Sequence, residues 1–255
     1  MKTWKLSKRL SVIADMIKDC EVLADIGCDH GYTCLEALER GKAGRAIAAD
    51  IGEGPLAIAR DNAEAAGLSD RCIFVRSDGL KELPSEPVPD AVCITGMGGH
   101  LVTRILKEAE TAAAGIRQVI LGPQSDLDVV RRYIVTESPF MIRTERMVEE
   151  DGKYYVLMDL CQKDNAGADG ESTAADKKVN AYTESEFLYG RKIEPEDMET
   201  KASYLQYQHG LMEEAYRSAL RGCSYGVADK QQEIRHRLQL IEEAQEALKK
   251  GADRT

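Results

Sequence analysis

The sequence predicts an α/β fold in which a mostly parallel sheet of seven strands ends in an antiparallel hairpin and is followed by an α-helical coiled-coil hairpin. Three observations predict it. Five short apolar runs, four of them ending directly in Gly or Asp, lead into a helical pattern or a loop, the repeat of a parallel sheet with crossover helices. Asp151-Gly152 then separates two strand-like runs, the signal of a β-hairpin. From about Glu196 onward, apolar residues recur at alternating spacings of four and three, as in a coiled-coil seam.

The chain of 255 residues, 43% hydrophobic and 31% charged, suits one large domain or one domain with an appendage. No apolar run approaches the ~20 residues that span a bilayer. The amino-terminal residues lack the apolar core of a signal peptide. The seven cysteines are odd in number and contain no C-x-x-C pair, so neither a zinc site nor a disulfide framework is indicated. Cys28, Cys72 and Cys93 lie in or beside apolar runs and read as small core residues, and a reducing cytoplasm is the expected compartment. The net charge of −10 argues against a nucleic-acid partner on average. Its distribution is uneven, however: Lys2, Lys5, Lys8, Arg9 and Lys18 open the chain, and much of the acidity sits in residues 145–200.

In chain order, Leu6, Leu10, Ile13 and Ile17 share a face of a short amphipathic helix. Val22 to Ile26 is the first strand. It ends in the turn Gly27-Cys28-Asp29-His30-Gly31, and a helix starts at Tyr32. Ala46 to Ala49 is a strand ending in Asp50, followed by a helix over 52–66 with Pro55 in its first turn and Gly67 as its C-cap. Cys72 to Val75 runs into Ser77-Asp78-Gly79, and the proline-containing residues 82–90 form a loop. Ala91 to Thr95 runs into Gly96-Met97-Gly98-Gly99 and a helix over 100–114. Gln118 to Leu121 precedes a helix over 126–137, with Ser125 as its expected N-cap. Phe140 to Glu149 and Tyr154 to Cys161 form the hairpin, and 164–178 reads as a surface loop. The first seam helix carries Met198, Ala202, Leu205, His209, Met212, Tyr216 and Ala219. After a break at Gly222 to Gly226, the second carries Ile234, Leu238, Ile241, Gln245 and Leu248. The expected domains are 1–163, a connecting segment 164–195, and the helical hairpin 196–255.

The turn after the first strand decides the ligand class. A dinucleotide site needs G-x-G-x-x-G so that a pyrophosphate can rest on the helix N-terminus. Here Asp29 stands at the second glycine position and the bulky Tyr32 at the third, so charge and size both oppose a pyrophosphate. S-adenosylmethionine (SAM) carries a sulfonium and an ammonium but no phosphate, and acidic residues suit it. Asp25 offers a carboxylate at the strand end. Asp50 is placed to accept from a ribose diol, and Asp78 from the exocyclic amine of adenine. A single acidic residue at a strand end also reads as a local cap, and NAD sites share the residue after the second strand. Asp29 is what discriminates. Gly96, Met97, Gly98 and Gly99 replace the side-chain amide loop of many amino methyltransferases with backbone donors and acceptors, and Met97 suits packing against a flat base. The layout is that of a Rossmann-like class I SAM-dependent methyltransferase.

Leu6-Ser7-Lys8-Arg9-Leu10, Asp25-Ile26-Gly27-x-Asp29-His30-x-Tyr32, Asp78-Gly79-Leu80, Gly96-Met97-Gly98-Gly99 and Glu149-Glu150-Asp151-Gly152-Lys153-x-Tyr155 together resemble the bacterial TrmK-type tRNA (adenine-N1)-methyltransferase family. The helical hairpin matches that family's small coiled-coil domain. Cys28 and Gly31 depart from the Ser and Ala expected there, and the 164–178 loop looks longer than usual. The resemblance implies SAM-dependent formation of 1-methyladenosine at position 22 in the D-arm region of tRNA, with S-adenosylhomocysteine (SAH) as the other product. It implies no metal, no membrane and no obligate protein partner. The expected cofactor set is Asp25, Gly27, Cys28, Asp29, His30, Gly31, Asp50, Ile51, Asp78, Gly79, Gly96, Met97 and Gly98. Asp29 is expected to stabilise the positive charge developing on the base, with His30 and Tyr32 orienting it or relaying a proton. Lys8, Arg9, Met97 and Gly99 are the expected substrate contacts, and Lys5, Arg217, Arg221, Lys230, Arg235 and Arg237 are further candidates for tRNA. Two other readings share these residues: a small-molecule methyltransferase whose helical hairpin is a lid or dimer arm, and a non-catalytic SAM-fold module whose hairpin binds a protein.

Overall fold

The computed structural model describes residues 4–109, 115–163, 182–221 and 227–252. The chain divides into two compact units, Met1–Val179 and Asn180–Thr255.

The first unit is built on a seven-stranded sheet of β1 (Cys20–Ile26), β2 (Ala43–Asp50), β3 (Cys72–Arg76), β4 (Ala91–Thr95), β5 (Gln118–Gly122), β6 (Phe140–Glu150) and β7 (Lys153–Gln162), in the order β3-β2-β1-β4-β5-β7-β6. The first five strands are parallel, and β7 and β6 close the sheet as an antiparallel hairpin. Helices α1 (Lys8–Met16), α2 (Tyr32–Glu39) and α3 (Glu53–Ala66) pack in sequence beside one another, and α4 (Gly99–Ala109) pairs with α5 (Leu127–Thr136). Strand β1 lies between β2 and β4, so the chain reverses its winding there and leaves a crevice at the carboxyl ends of these strands.

The apolar runs become strands because both faces of the sheet are covered: β4 and β5 are buried almost throughout. One core cluster joins Ile13 of α1 and Ile17 just after it, Leu23 of β1, Leu38 of α2, Leu56 of α3 and Leu157 of β7. Gly67 closes α3 in the left-handed conformation (φ +69°), the role expected for it. Ser125 does not cap α5. Asp126 holds that position at φ +52° without a side-chain cap, and the Ser125 hydroxyl donates to Asp126 Oδ2 at 2.6 Å. Cys72 is half-buried rather than a core residue. Polar contacts also lie inside the unit. Arg131 of α5 donates to Glu145 of β6 at 2.7 Å with both side chains enclosed, and Gln118 donates to Asp159 at 2.8 Å.

The second unit contains α6 (Glu184–Tyr189), α7 (Met198–Arg221) and α8 (Val227–Ala252). Thr183 and Glu186 form a reciprocal capping box on α6. This unit therefore starts upstream of residue 196, where the repeat begins. The Ser185 hydroxyl donates to the Leu240 carbonyl at 2.7 Å, and Leu188 and Tyr189 join Leu205, Leu240, Ile241 and Ala244 in a core. The α7–α8 pairing follows the expected spacing, but Leu240 and Ala244 are buried where the expected Leu238 and Gln245 are only half-buried. Ala202 is exposed, and Lys201 is buried instead because its ammonium donates to the Gly190 carbonyl at 2.9 Å. His209 lies on the seam, 3.8 Å from Glu242. The expected loop 164–178 and the break at 222–226 lie outside the described residues.

Candidate active site

The turn between β1 and α2 is shaped by its backbone. Gly27, Asp29 and Gly31 all have positive φ (+74°, +50° and +74°), a conformation that glycine and, among side chains, Asp and Asn tolerate best. The N–H groups of Gly27 and Cys28 both donate to the Ala49 carbonyl of β2, at 2.8 and 3.0 Å, tying the turn to the neighbouring strand end. A Cβ on Gly31 would lie 3.0 Å from that of Ala59, so the third helix packs directly on the turn.

Three carboxylates surround this turn. Asp25 is 2% exposed at the end of β1, and burial pushes its pKa up to about 7. A hydrogen bond from Thr33 opposes that rise, and Asp50 and Asp29 add to it. Asp50 ends β2: Oδ1 accepts from the Gly52 N–H at 2.8 Å and Oδ2 from the Asp29 N–H at 3.4 Å. Asp29 itself points outward, 73% exposed, 3.5 Å from His30 Nε2. The rings of His30 and Tyr32 stack with centroids 5.7 Å apart, and Asn62 of α3 holds the His30 carbonyl at 2.9 Å. Cys28 is enclosed, and burial raises its thiol pKa, so it acts as a core residue beneath the turn. Ile51, 66% exposed, offers an apolar shelf beside Asp50.

Asp78 follows β3, and its carboxylate is not free. Arg104 of α4 grips both oxygens, at 2.6 and 2.9 Å, and Lys81 donates to Oδ2 at 2.9 Å. Arg104 first and Lys81 second hold Asp78 below the usual carboxylate range. Gly79 has φ +73°, and a side chain there would press on Ile105. The loop after β4 approaches the first turn closely, because a Cβ on Gly27 would stand 2.3 Å from Met97 Cε. Gly96 (φ +80°) donates to the Gly122 carbonyl at 3.0 Å, and the Met97 carbonyl accepts from the Gln124 N–H at 2.8 Å. Gly98 pairs with Ser125, and Gly99 lies so near the Asp126 and Ser125 carbonyls that no Cβ fits.

Lys8 and Arg9 sit on α1, whose first N–H groups face Glu150 of β6, and the Arg9 guanidinium lies 4.8 Å from the Tyr155 ring centroid. Lys5 is exposed. In the helical unit Arg217 pairs with Glu213 at 3.1 Å, Arg235 and Arg237 lie over Tyr216 and Tyr189, and Arg221 and Lys230 are exposed. The first unit thus gathers the turn, Asp50 and the Met97 loop in one crevice. Asn62, Arg104, Thr33 and the Glu150–α1 contact are additions that no sequence spacing marks. Buried and exposed carboxylates about a close-approach turn fit a cationic ligand, and the exposed Ile51 fits an apolar base.

The Methyltransferase domain family matches residues 6–158. The tRNA (adenine(22)-N(1))-methyltransferase of Bacillus subtilis is 34% identical over 209 residues, which cover 81% of this chain and 87% of that protein. The crystal structure of the B. subtilis m1A22 tRNA methyltransferase TrmK superposes with a TM-score of 0.75 at 27% identity, covering 94% of this chain and 99% of that one. Streptococcus pneumoniae Sp1610 in complex with S-adenosyl-L-methionine superposes with a TM-score of 0.77 at 25% identity, covering 94% of this chain and all of that one (100%). The strand order, the acidic glycine turn and these likenesses agree, and the chain belongs to the TrmK family of tRNA (adenine(22)-N1)-methyltransferases.

Proposed function

We propose that this protein transfers a methyl group from SAM to N1 of adenine 22 in the D-arm region of tRNA, giving 1-methyladenosine and SAH. One observation carries the reading: a turn ringed by Asp25, Asp29 and Asp50 touches, through Gly27 and Met97, a glycine loop whose Gly96 is exposed. Asp25 and Asp50 are the residues to hold the ligand's cationic end and ribose, Ile51 to pack its base, and the Asp78-Gly79 backbone to border it. Bound SAM supplies an electrophilic methyl group. The chain's task is then chiefly positioning, because adenine N1 already has a lone pair. Alkylated adenine is cationic, and the exposed Asp29 carboxylate is the group to stabilise that charge, with the stacked His30 and Tyr32 rings orienting the base. A base stacked in the D-arm has to be flipped out to reach this crevice.

Lys8 and Arg9 are the proposed RNA contacts on the first unit, and Met97 the one nearest the base, while Gly99 is buried against Ser125 and Asp126 and lets that loop lie close. A cytoplasmic location accords with the free thiols of all six described cysteines. No helix among the described residues is long and apolar enough to cross a membrane. Incubation with methyl-labelled SAM and unmodified tRNA, followed by nucleoside digestion, tests the reading. Label in 1-methyladenosine supports it, and label in another nucleoside or none on tRNA overturns it.

A further inference from the structure

Two stretches singled out in the sequence, Leu6–Leu10 and Glu149–Tyr155, meet in the fold. Glu150 Oε1 accepts the backbone N–H groups of Lys8 and Arg9, the latter at 3.4 Å and across 141 residues of chain. Lys8 Nζ donates to the Glu149 carbonyl at 3.2 Å, and Glu149 Oε1 accepts the Gly152 N–H at 3.1 Å, which fixes the hairpin turn. Glu150 therefore already satisfies the amino-terminal end of α1, and that helix end is closed to another anion.

Arg9 is what this arrangement leaves over. Its guanidinium lies against the Tyr155 ring, its Nε is buried without a hydrogen-bond partner, and its side chain makes no ion pair with a described residue. Stacking fixes the plane of a guanidinium while leaving its edge donors for a further partner. The register places this pair at the functional end of the sheet. The last β5–β7 partners are Leu121 and Met158, and Tyr155 lies three residues farther along, level with the Gly122-Pro123-Gln124 turn that hydrogen-bonds Met97. Glu149 and Glu150 are engaged by backbone N–H groups and Glu150 is half-buried, while Glu149 and Asp151 are exposed beside the exposed Lys5, Lys8 and Lys153.

We infer that Arg9, held flat on Tyr155 at the end of a helix anchored by Glu150, binds a phosphate of the RNA backbone beside the target adenosine. Glu150 and Tyr155 are positioning residues for it. A phosphate is favoured over a stacked base because Arg9 covers the Tyr155 face, and a guanidinium fork matches two phosphate oxygens. The inference rests on the proposed tRNA activity.

The test measures KM for unmodified tRNA, equilibrium tRNA binding across a salt series, and SAH binding, using the full chain. Arg9→Gln is expected to raise the tRNA KM about tenfold. It should also reduce the slope of log affinity against log salt by about 0.7–0.9, one phosphate's worth of counterions, with SAH affinity unchanged. Arg9→Lys retains the salt slope but not the fork, so its KM rises several-fold. Tyr155→Phe keeps the stack and behaves as the parent, and Tyr155→Leu shifts toward Arg9→Gln. An unchanged tRNA KM and salt slope in Arg9→Gln overturns the inference, as does a loss of SAH affinity in step with that of tRNA. If the parent protein binds tRNA but transfers no methyl group, the activity reading falls, while the salt slope still decides the role of Arg9.

Discussion

Gly27 and Met97, on turns that follow different strands, are in contact so close that a Cβ on Gly27 would stand 2.3 Å from Met97 Cε. Gly27 also holds φ +74°. Gly27→Ala is therefore expected to suffer two separable penalties, a small steric one, since the flexible Met97 methyl must swing out of its place, and about 1–2 kcal/mol from the left-handed backbone. SAH affinity should fall at least tenfold. Adding Met97→Ala removes the first penalty and leaves the second, so titration calorimetry on the double variant should show partial recovery. Full recovery, or no loss in the single variant, is the contrary outcome.

Asp25 gives a pH dependence. Its pKa is raised by burial from 3.8 to about 7, so its contribution to stability is complete below about pH 4 and is lost as pH rises to about 7. Asp25→Asn should flatten that limb of a melting-temperature profile. A cationic cofactor favours ionised Asp25, so SAM affinity should rise from about pH 5 to about pH 6.5, below the α-amino range near 7.7–8.0. Proton release on binding, read from calorimetry in buffers of different ionisation enthalpy, checks it. A pH-independent affinity in the parent protein is the opposing result.

Arg104 grips the Asp78 carboxylate from α4. The pair is exposed, so Arg104→Gln should leave thermal stability nearly unchanged. If the Asp78-Gly79 segment borders the cofactor, the same variant should raise the KM for SAM several-fold with little change in kcat. A change in melting temperature with an unaltered KM for SAM assigns the pair to stability alone.

Arg131 and Glu145 are both enclosed and 2.7 Å apart. Removing one partner of a buried pair typically costs about 3–5 kcal/mol, because the other charge is left without compensation. Glu145→Ala should lower stability by about that amount in urea unfolding. A loss under about 1 kcal/mol is the contrary outcome and would indicate that the other partners of Arg131 compensate its charge.

The parallel sheet was legible because its signals are local. Val22 to Ile26 is buried on both faces and apolar except for Asp25, Gly67 stops α3, and Asp151-Gly152 turns the hairpin. Asp29 could be recognised as unsuited to a pyrophosphate from its position alone. The errors came where a distant contact outweighs a local one. Ser125 is a good capping residue in isolation, but it bridges to Gly98 and Asp126 takes the cap. Ala202 fits the seam by spacing, yet Lys201 is buried because the Gly190 carbonyl receives its ammonium. The partners of the site residues were illegible for the same reason. Asn62 reaches His30 across 32 positions and Arg104 reaches Asp78 across 26, and neither separation follows a local periodicity.

The most direct test maps the modified position. A transcript of unmodified tRNA with adenine at position 22 is incubated with SAM and the protein beside a transcript carrying guanine there, and reverse transcription reads the stops. The expected result is a stop at position 22 in the first transcript alone, lost in Asp29→Ala at saturating SAM. A stop elsewhere, or equal methyl incorporation into both transcripts, contradicts it.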